Sequence, residues 1–246
     1  MYNTKNKIAV LVCGQLREFN IAVKSWNGLF DLNCDFYFST WDKSSQSDFK
    51  WVNYLNPVTE VTKNMITDKI PNAHVSVLNE DKYNYNNINK YKITDKQILH
   101  WKNALKMCVD SGVKYDVIIV TRPDAFVQLP DLENHIDNLK ECEIRNTGDE
   151  NEPEFFEDIL FMGKFNTMKI FIENINESKI FKIHEDIYRH ITYLNFYLNP
   201  FPPKLMATEV RPITNELYRQ NINYNNIKKS NEDFIIKYDK TIKKLW

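Results

Sequence analysis

Apolar and polar positions along this chain follow two rhythms, one of short unbroken apolar runs and one of helical spacing. Residues 7–13 (KIAVLVC) form an unbroken run that reads as a buried strand, followed by a turn at 14–17 (GQLR). From 18 to 30 the apolar residues Ile21, Ala22, Trp26 and Leu29 recur at helical spacing. Residues 34–40 (CDFYFST) give a second strand that ends at Trp41 and Asp42, and 57–62 and 74–78 give weaker ones. Residues 79–92 are polar and rich in Asn and Tyr, the composition of a mobile loop. A helix is expected over 95–109. Ile98, Trp101, Ala104, Leu105 and Cys108 line one face, Thr94 or Asp95 is placed to cap it, and Gly112 to terminate it. The run at 115–121 (YDVIIVT) then has the β-branched content of a strand buried on both faces. It stops at Arg122-Pro123-Asp124, where Pro123 has no N–H to continue a ladder.

The second half is less regular. A helix is expected over 131–141, and an acidic, turn-rich stretch over 145–155 that includes Gly148 and Pro153. Glu157 and Asp158 lead into an apolar strand at 159–162, and helices are expected over 166–175 and 185–198. Prolines between 200 and 203 interrupt the pattern, and a polar tail from about residue 221 is expected to pack loosely on the surface. No internal repeat or linker divides residues 1–246, so the expectation is one domain. The β-α-β-α order predicts an α/β fold, a Rossmann-like, mostly parallel sheet flanked by helices on both faces. Sheets of that kind bind ligands at the carboxyl ends of their strands. Gly14 to Arg17, Trp41-Asp42 and Arg122 to Asp124 would then share one edge.

Composition narrows the partners. The 246 residues carry a formal net charge of −1, which argues against a dedicated nucleic-acid binder. No apolar run is long enough to span a membrane, and residues 1–7 pass into the first strand without a signal-peptide pattern. The four cysteines, Cys13, Cys34, Cys108 and Cys142, are scattered without a C-x-x-C pair. They read as reduced, mostly buried residues of a cytoplasmic protein. Nothing in the pattern fixes an oligomeric state.

Neither glycine signature of nucleotide binding, G-x-G-x-x-G or G-x-x-x-x-G-K-[ST], is present. The candidate chemistry therefore rests on polar residues at strand ends. Exposed N–H groups at Gly14 and Gln15, with Arg17, suit a phosphate or a base; alternatively Gly14 only makes the turn and Arg17 pairs with a surface acid. Arg122 and Asp124 suit a ligand site or a plain strand-end salt bridge. Trp41 and Asp42 suit stacking and hydroxyl recognition, or a core Trp.

The series 14–17 (GQLR), 35–41 (DFYFSTW), Tyr115-Asp116 and Arg122-Pro123-Asp124 resembles glycosyltransferase-like proteins of the GT-A fold, such as those of bacterial surface-polysaccharide clusters, phages and large viruses. The resemblance covers roughly the first two thirds of the chain. It implies a GT-A-like fold, a nucleotide-diphosphate-sugar donor, a glycan or other hydroxyl acceptor, and a divalent cation, Mn²⁺ or Mg²⁺, held by an Asp-x-Asp motif after a central strand. Asp124 matches the last position of that motif, while Arg122 stands in place of its first Asp. A cation there repels a metal and suits the diphosphate itself. The resemblance further implies a glycine-containing loop, here Gly148, and an acidic pair, Glu157 and Asp158, with a carboxylate as the base of inverting members; a solvated acidic turn is the other reading. His184 matches a downstream metal or phosphate His, or else caps its helix. The function implied is a glycosyltransferase. A nucleotidyltransferase and a non-catalytic nucleotide- or carbohydrate-binding relative are the alternatives.

Overall fold

In a computed structural model of the chain, residues 6–17, 19–44, 59–83, 93–128, 131–147, 156–176, 183–200 and 206–209 are described. The expectations placed on Gly148, Pro153, residues 84–92 and the tail from about 221 lie outside them. The strands are β1 (Ile8–Cys13), β2 (Cys34–Trp41), β3 (His74–Leu78), β4 (Val117–Thr121), β5 (Ala125–Gln128), β6 (Glu143–Asn146), β7 (Leu160–Lys164), β8 (Tyr197–Pro200) and β9 (Met206–Glu209). The helices are α1 (Phe19–Ala22), α2 (Asn27–Phe30), α3 (Asn64–Thr67), α4 (Ile93–Asp110), α5 (Leu132–Asp137), α6 (Phe165–Asn174) and α7 (Ile183–Tyr193).

Seven strands form one sheet in the order β3-β2-β1-β4-β7-β6-β8, and β5 pairs with β9 in a separate two-stranded sheet. The expected α/β architecture, a mostly parallel sheet flanked by helices, is present. β1 is parallel to both β2 and β4, and β2 to β3. β7 runs antiparallel to β4 and β6, so the sheet is mostly parallel with one reversed strand.

The sheet is the boundary between two cores. Along β1, Ile8, Val10 and Val12 face one layer with Phe19, Trp26, Leu29, Ile66 and Ile136. Ala9, Leu11 and Cys13 face the other, with Ile98, Trp101, Phe161, Phe171 and Ile187. β1 and β4 are buried at every position, as their unbroken apolar runs require. Burying a Leu, Ile or Phe side chain contributes roughly 1.5–3 kcal/mol, so these central strands supply much of what orders the sheet edge above them.

Several elements differ from the sequence expectation. Residues 19–30 are not one helix but α1, a 3-10 turn at Val23–Ser25, and α2. The break is where the segment docks: the Trp26 indole donates to the Ala125 carbonyl (2.9 Å), and the Val127 N–H donates to Ser25 Oγ (2.9 Å). Tertiary hydrogen bonds to β5 there override helical continuity. Helix α4 begins at Ile93, so Thr94 and Asp95 lie inside its first turn rather than ahead of it. Its end at Gly112 is as expected, with φ +70°. The helix expected over 131–141 is the shorter α5. The helix expected to reach 198 stops at Tyr193, because Asn195 turns at φ 57° and the following residues pair with β6 as β8. Of the weak strand at 57–62, the described part makes only a bridge between Lys43 and Glu60. Residues Glu80–Tyr83, within the expected loop, form a 3-10 turn.

Candidate functional site

The C-terminal ends of β1 and β4 carry the Gly14 turn and the Arg122–Asp124 turn, and parallel pairing puts both on one edge. Gly14 leaves β1 with φ +122°, a conformation that only glycine adopts without strain. Its N–H donates to the Ser39 carbonyl of β2 (3.0 Å). A Cβ placed there would lie 3.3 Å from Gln97 Oε1 and 3.8 Å from Pro123 Cδ, so the first turn is packed directly on the second.

The two turns are joined by charge. Arg17 Nε donates to Asp124 Oδ2 at 2.7 Å. Arg122 donates from Nε to Asp124 Oδ1 and from Nη2 to Oδ2, both at 2.9 Å. The Asp124 side chain is 2% exposed, and Arg122 and Arg17 are 11% and 22% exposed. Burial alone pushes the Asp124 carboxyl up; Arg122 and then Arg17 outweigh it and hold the group at about 2. Asp124 is therefore an anion that fixes two guanidiniums.

The reversed strand brings in the second half of the site. Because β7 is antiparallel to β4, Leu160 at its start lies beside Thr121 at the end of β4. Thr121 Oγ1 donates to the Ile159 carbonyl at 3.1 Å, so the residues before β7 sit against the Arg122 turn. Asp158 Oδ1 lies 3.8 Å from Arg122 Nη1. Phe156 is fully buried against Trp101, Phe161 and Phe171, with ring centroids 4.9–6.2 Å apart, and this anchors the approach to Glu157 and Asp158. The Phe156 carbonyl also accepts from His184 Nδ1 at 2.5 Å, in the first turn of α7. With Nδ1 bonded to that carbonyl, Nε2 is the ring nitrogen that a metal would use. Glu157, Asp158 and His184 each offer a ligand atom within 4.8 Å of the others.

A divalent cation has different prospects at the two places. At Asp124 both carboxylate oxygens accept from arginines, so the donor set there does not fit a metal. Two carboxylates and an imidazole at Glu157, Asp158 and His184 do fit one, Mn²⁺ better than the oxygen-seeking Mg²⁺. His184 thus falls in a candidate ligand set on geometry, while Asp124 falls outside it.

Gln97, His100 and Asn103 of α4 also reach this edge and were not singled out by sequence. His100 of α4 is 1% exposed; its Nδ1 lies 2.8 Å from Ser39 Oγ, which also accepts from Asn103 Nδ2 (2.9 Å). Burial, and secondarily Lys96, push the His100 imidazole down to about 3, so it is neutral. The side-chain nitrogens Gln15 Nε2, Gln97 Nε2 and His100 Nε2 are buried without a hydrogen-bond partner around this turn. The signal in the sequence was a polar residue one helical turn before Trp101 on the apolar stripe of α4, at Gln97. Trp41 is a core residue, 1% exposed and in edge contact with His100. Asp42 caps the Glu80 turn, accepting from the Glu80 N–H (3.0 Å) and Asn79 Nδ2 (2.8 Å).

No family model and no curated protein matches the chain. Solved structures align over most of its length. A candidate nucleotide-diphospho-sugar transferase from Desulfovibrio desulfuricans G20 is 11% identical, with 97% of each chain covered and a TM-score of 0.48. A nucleoside-diphosphate-sugar pyrophosphorylase from Vibrio cholerae RC9 is 12% identical over 78% of this chain and 90% of its own, with a TM-score of 0.40. HddC from Yersinia pseudotuberculosis is 11% identical over 83% and 93%, with a TM-score of 0.44. At such identities a shared chain path says nothing about chemistry, which lives in the site. No helix among the described residues is long and apolar enough to cross a membrane.

Proposed function

We propose that this chain is a glycosyltransferase that moves a sugar from a nucleotide-diphosphate sugar to a hydroxyl of a glycan or other acceptor. The observation that carries the reading is the convergence, on one sheet edge, of the Gly14 turn, two fixed arginines and an acidic cluster with a histidine. That set has the parts the reaction needs. Gly14, Gln15, Arg17 and the Arg122–Asp124 turn border the donor. Asp158, or failing that Glu157, takes the proton of the acceptor hydroxyl as the bond from the sugar to the diphosphate breaks. The electron pair of that bond leaves on the nucleoside diphosphate. Glu157, Asp158 and His184 would hold a divalent cation, which when bound supplies positive charge to the leaving diphosphate. A carboxylate cannot bind the ion and act as base with the same lone pair, so the member that serves as base does so through an oxygen that does not hold the ion.

The test is a hydrolysis and transfer screen across nucleotide-sugars, with and without Mn²⁺. Release of a nucleoside diphosphate and a free or transferred sugar supports the proposal. Consumption of a nucleoside triphosphate with a sugar phosphate, releasing pyrophosphate, would assign the site to nucleotidyl transfer. Binding without turnover of any donor would make the chain a non-catalytic binder.

A further inference from the structure

We propose that Thr121 is a positioning residue for the acidic pair: its hydroxyl, by holding the Ile159 carbonyl, sets Glu157 and Asp158 opposite His184. This role rests on the reading of the site as one for sugar transfer, and it names what aims the base and the cation ligands there.

Thr121 closes the VIIVT run of β4 and is fully buried. A β-branched side chain suits such a strand, and valine would serve the strand as well as threonine does. The hydroxyl is therefore extra to the packing, and in a buried place it costs stability unless it is hydrogen-bonded. Its partner lies outside the sheet ladder. Thr121 Oγ1 donates to the carbonyl of Ile159, one residue ahead of β7, at 3.1 Å. Thr121 and Leu160 are the last pair of β4 with β7, so this bond extends the hold of β4 past the ladder, onto the neighbour of Asp158. The segment so held straddles the sheet edge. Ile159 packs on the core that contains Val12 and Trp26, while Phe156 is buried in the opposite core with Trp101 and Phe171. Glu157 and Asp158 lie between these anchors. The Phe156 carbonyl also accepts from His184 Nδ1, so the anchor ahead of the pair holds the histidine as well. The ligand atoms of the three side chains lie within 4.8 Å of one another. A carboxylate that takes a proton must be held within about 0.5 Å of its productive place, and an error of about 1 Å costs about a hundredfold in rate. Partners behind the ligands set metal affinity in the same way.

The experiment compares wild type, Thr121→Val and Thr121→Ser by steady-state transfer kinetics across nucleotide-sugars and by calorimetry of Mn²⁺ with the chain alone. Valine keeps the shape of threonine without the hydroxyl, and serine keeps the hydroxyl. Thr121→Val is expected to lower kcat, Mn²⁺ affinity or both by roughly tenfold to a hundredfold, with the donor KM within about twofold of wild type. Thr121→Ser keeps the donor and should stay within about threefold of wild type in both quantities. A hydroxyl that serves only the fold would lower Tm in Thr121→Val and move neither. If Thr121→Val does not fold, Thr121→Cys replaces it; its thiol is a weak donor, and a loss of roughly threefold or more is expected. Unchanged kcat and Mn²⁺ affinity in the folded valine or cysteine variant overturns the positioning role and leaves the sugar-transfer reading standing. So does a serine variant as impaired as the valine one, or a donor KM that rises as far as kcat falls. A wild-type chain that neither turns over a nucleotide-sugar nor binds Mn²⁺ overturns both. If wild type binds Mn²⁺ without transfer, the sugar-transfer reading fails and Mn²⁺ affinity alone decides the role of Thr121.

Discussion

Arg17 and Asp124 stand 107 residues apart in the chain and meet at 2.7 Å between Nε and Oδ2. Their contact exists because β1 and β4 are parallel neighbours, so the turns that follow them leave the sheet together. The pair ties the first turn of the fold to the strand end that defines the site. Removing the Asp124 carboxylate should therefore act on stability as well as on binding.

Asp124→Ala is expected to destabilise the fold by about 3–5 kcal/mol, because it removes the buried carboxylate that both partly buried guanidiniums bond. Chemical denaturation of the variant beside wild type measures this. The pH dependence has a defined sign. Asp124 is ionised in the folded chain down to about 2, below its unfolded value near 3.9. Its contribution is thus fully present above about pH 4 and is lost as pH falls through 2. The variant should show a shallower loss of stability across that window, and an unchanged slope would contradict the ion-pair assignment.

His100 gives a second pH signature at higher pH. Its imidazole stays neutral in the folded chain down to about 3, while in the unfolded chain it takes a proton near 6.5. The unfolded state binds more protons between those values, so stability falls as pH drops from about 6.5 toward 3. His100→Gln should flatten that slope in denaturation curves taken at pH 7, 6, 5 and 4. An equal slope in the variant would show that the imidazole is not held neutral.

Gly14→Ala should cost roughly 1–3 kcal/mol, since alanine is strained at φ +122°. The added Cβ would also press on Gln97 Oε1 at 3.3 Å. Lower nucleoside-diphosphate affinity together with a lower Tm is the expected outcome. A thermal shift with unaltered affinity would separate the turn from the donor site.

Asp158→Asn should lower sugar transfer by about 10²–10⁴-fold with nucleotide binding nearly unchanged, the effect of removing a general base that acts in the transition state. Steady-state kinetics beside calorimetry reads both quantities. Near-normal transfer in both Asp158→Asn and Glu157→Gln would move the base elsewhere. Loss of nucleotide binding in folded variants would move the pair into the donor site.

The sequence by itself determined the central strands and the edge on which the site lies. An apolar run such as VIIVT admits only a strand buried on both faces, and Pro123 fixes where it stops. From those two facts and the intervening helices, the parallel pairing of β1, β2 and β4 followed, and with it the meeting of the Gly14 and Arg122 turns. Helix α4 was legible for the same reason, since its apolar stripe runs the length of the element. Short elements were not. Residues 19–30 carry helical spacing, yet Ser25 and Trp26 bond to β5, a partner about a hundred residues away that no local pattern encodes. The strands β6, β8 and β9 have only four residues each and are specified by the neighbours they pair with. Tertiary structure alone decided the direction of β7, and therefore that Asp158 starts beside the end of β4 rather than at the opposite edge. It also decided what Asp124 binds. A carboxylate in a sequence is equally suited to a metal or to an arginine, and only the fold brings Arg17 to within 2.7 Å of it.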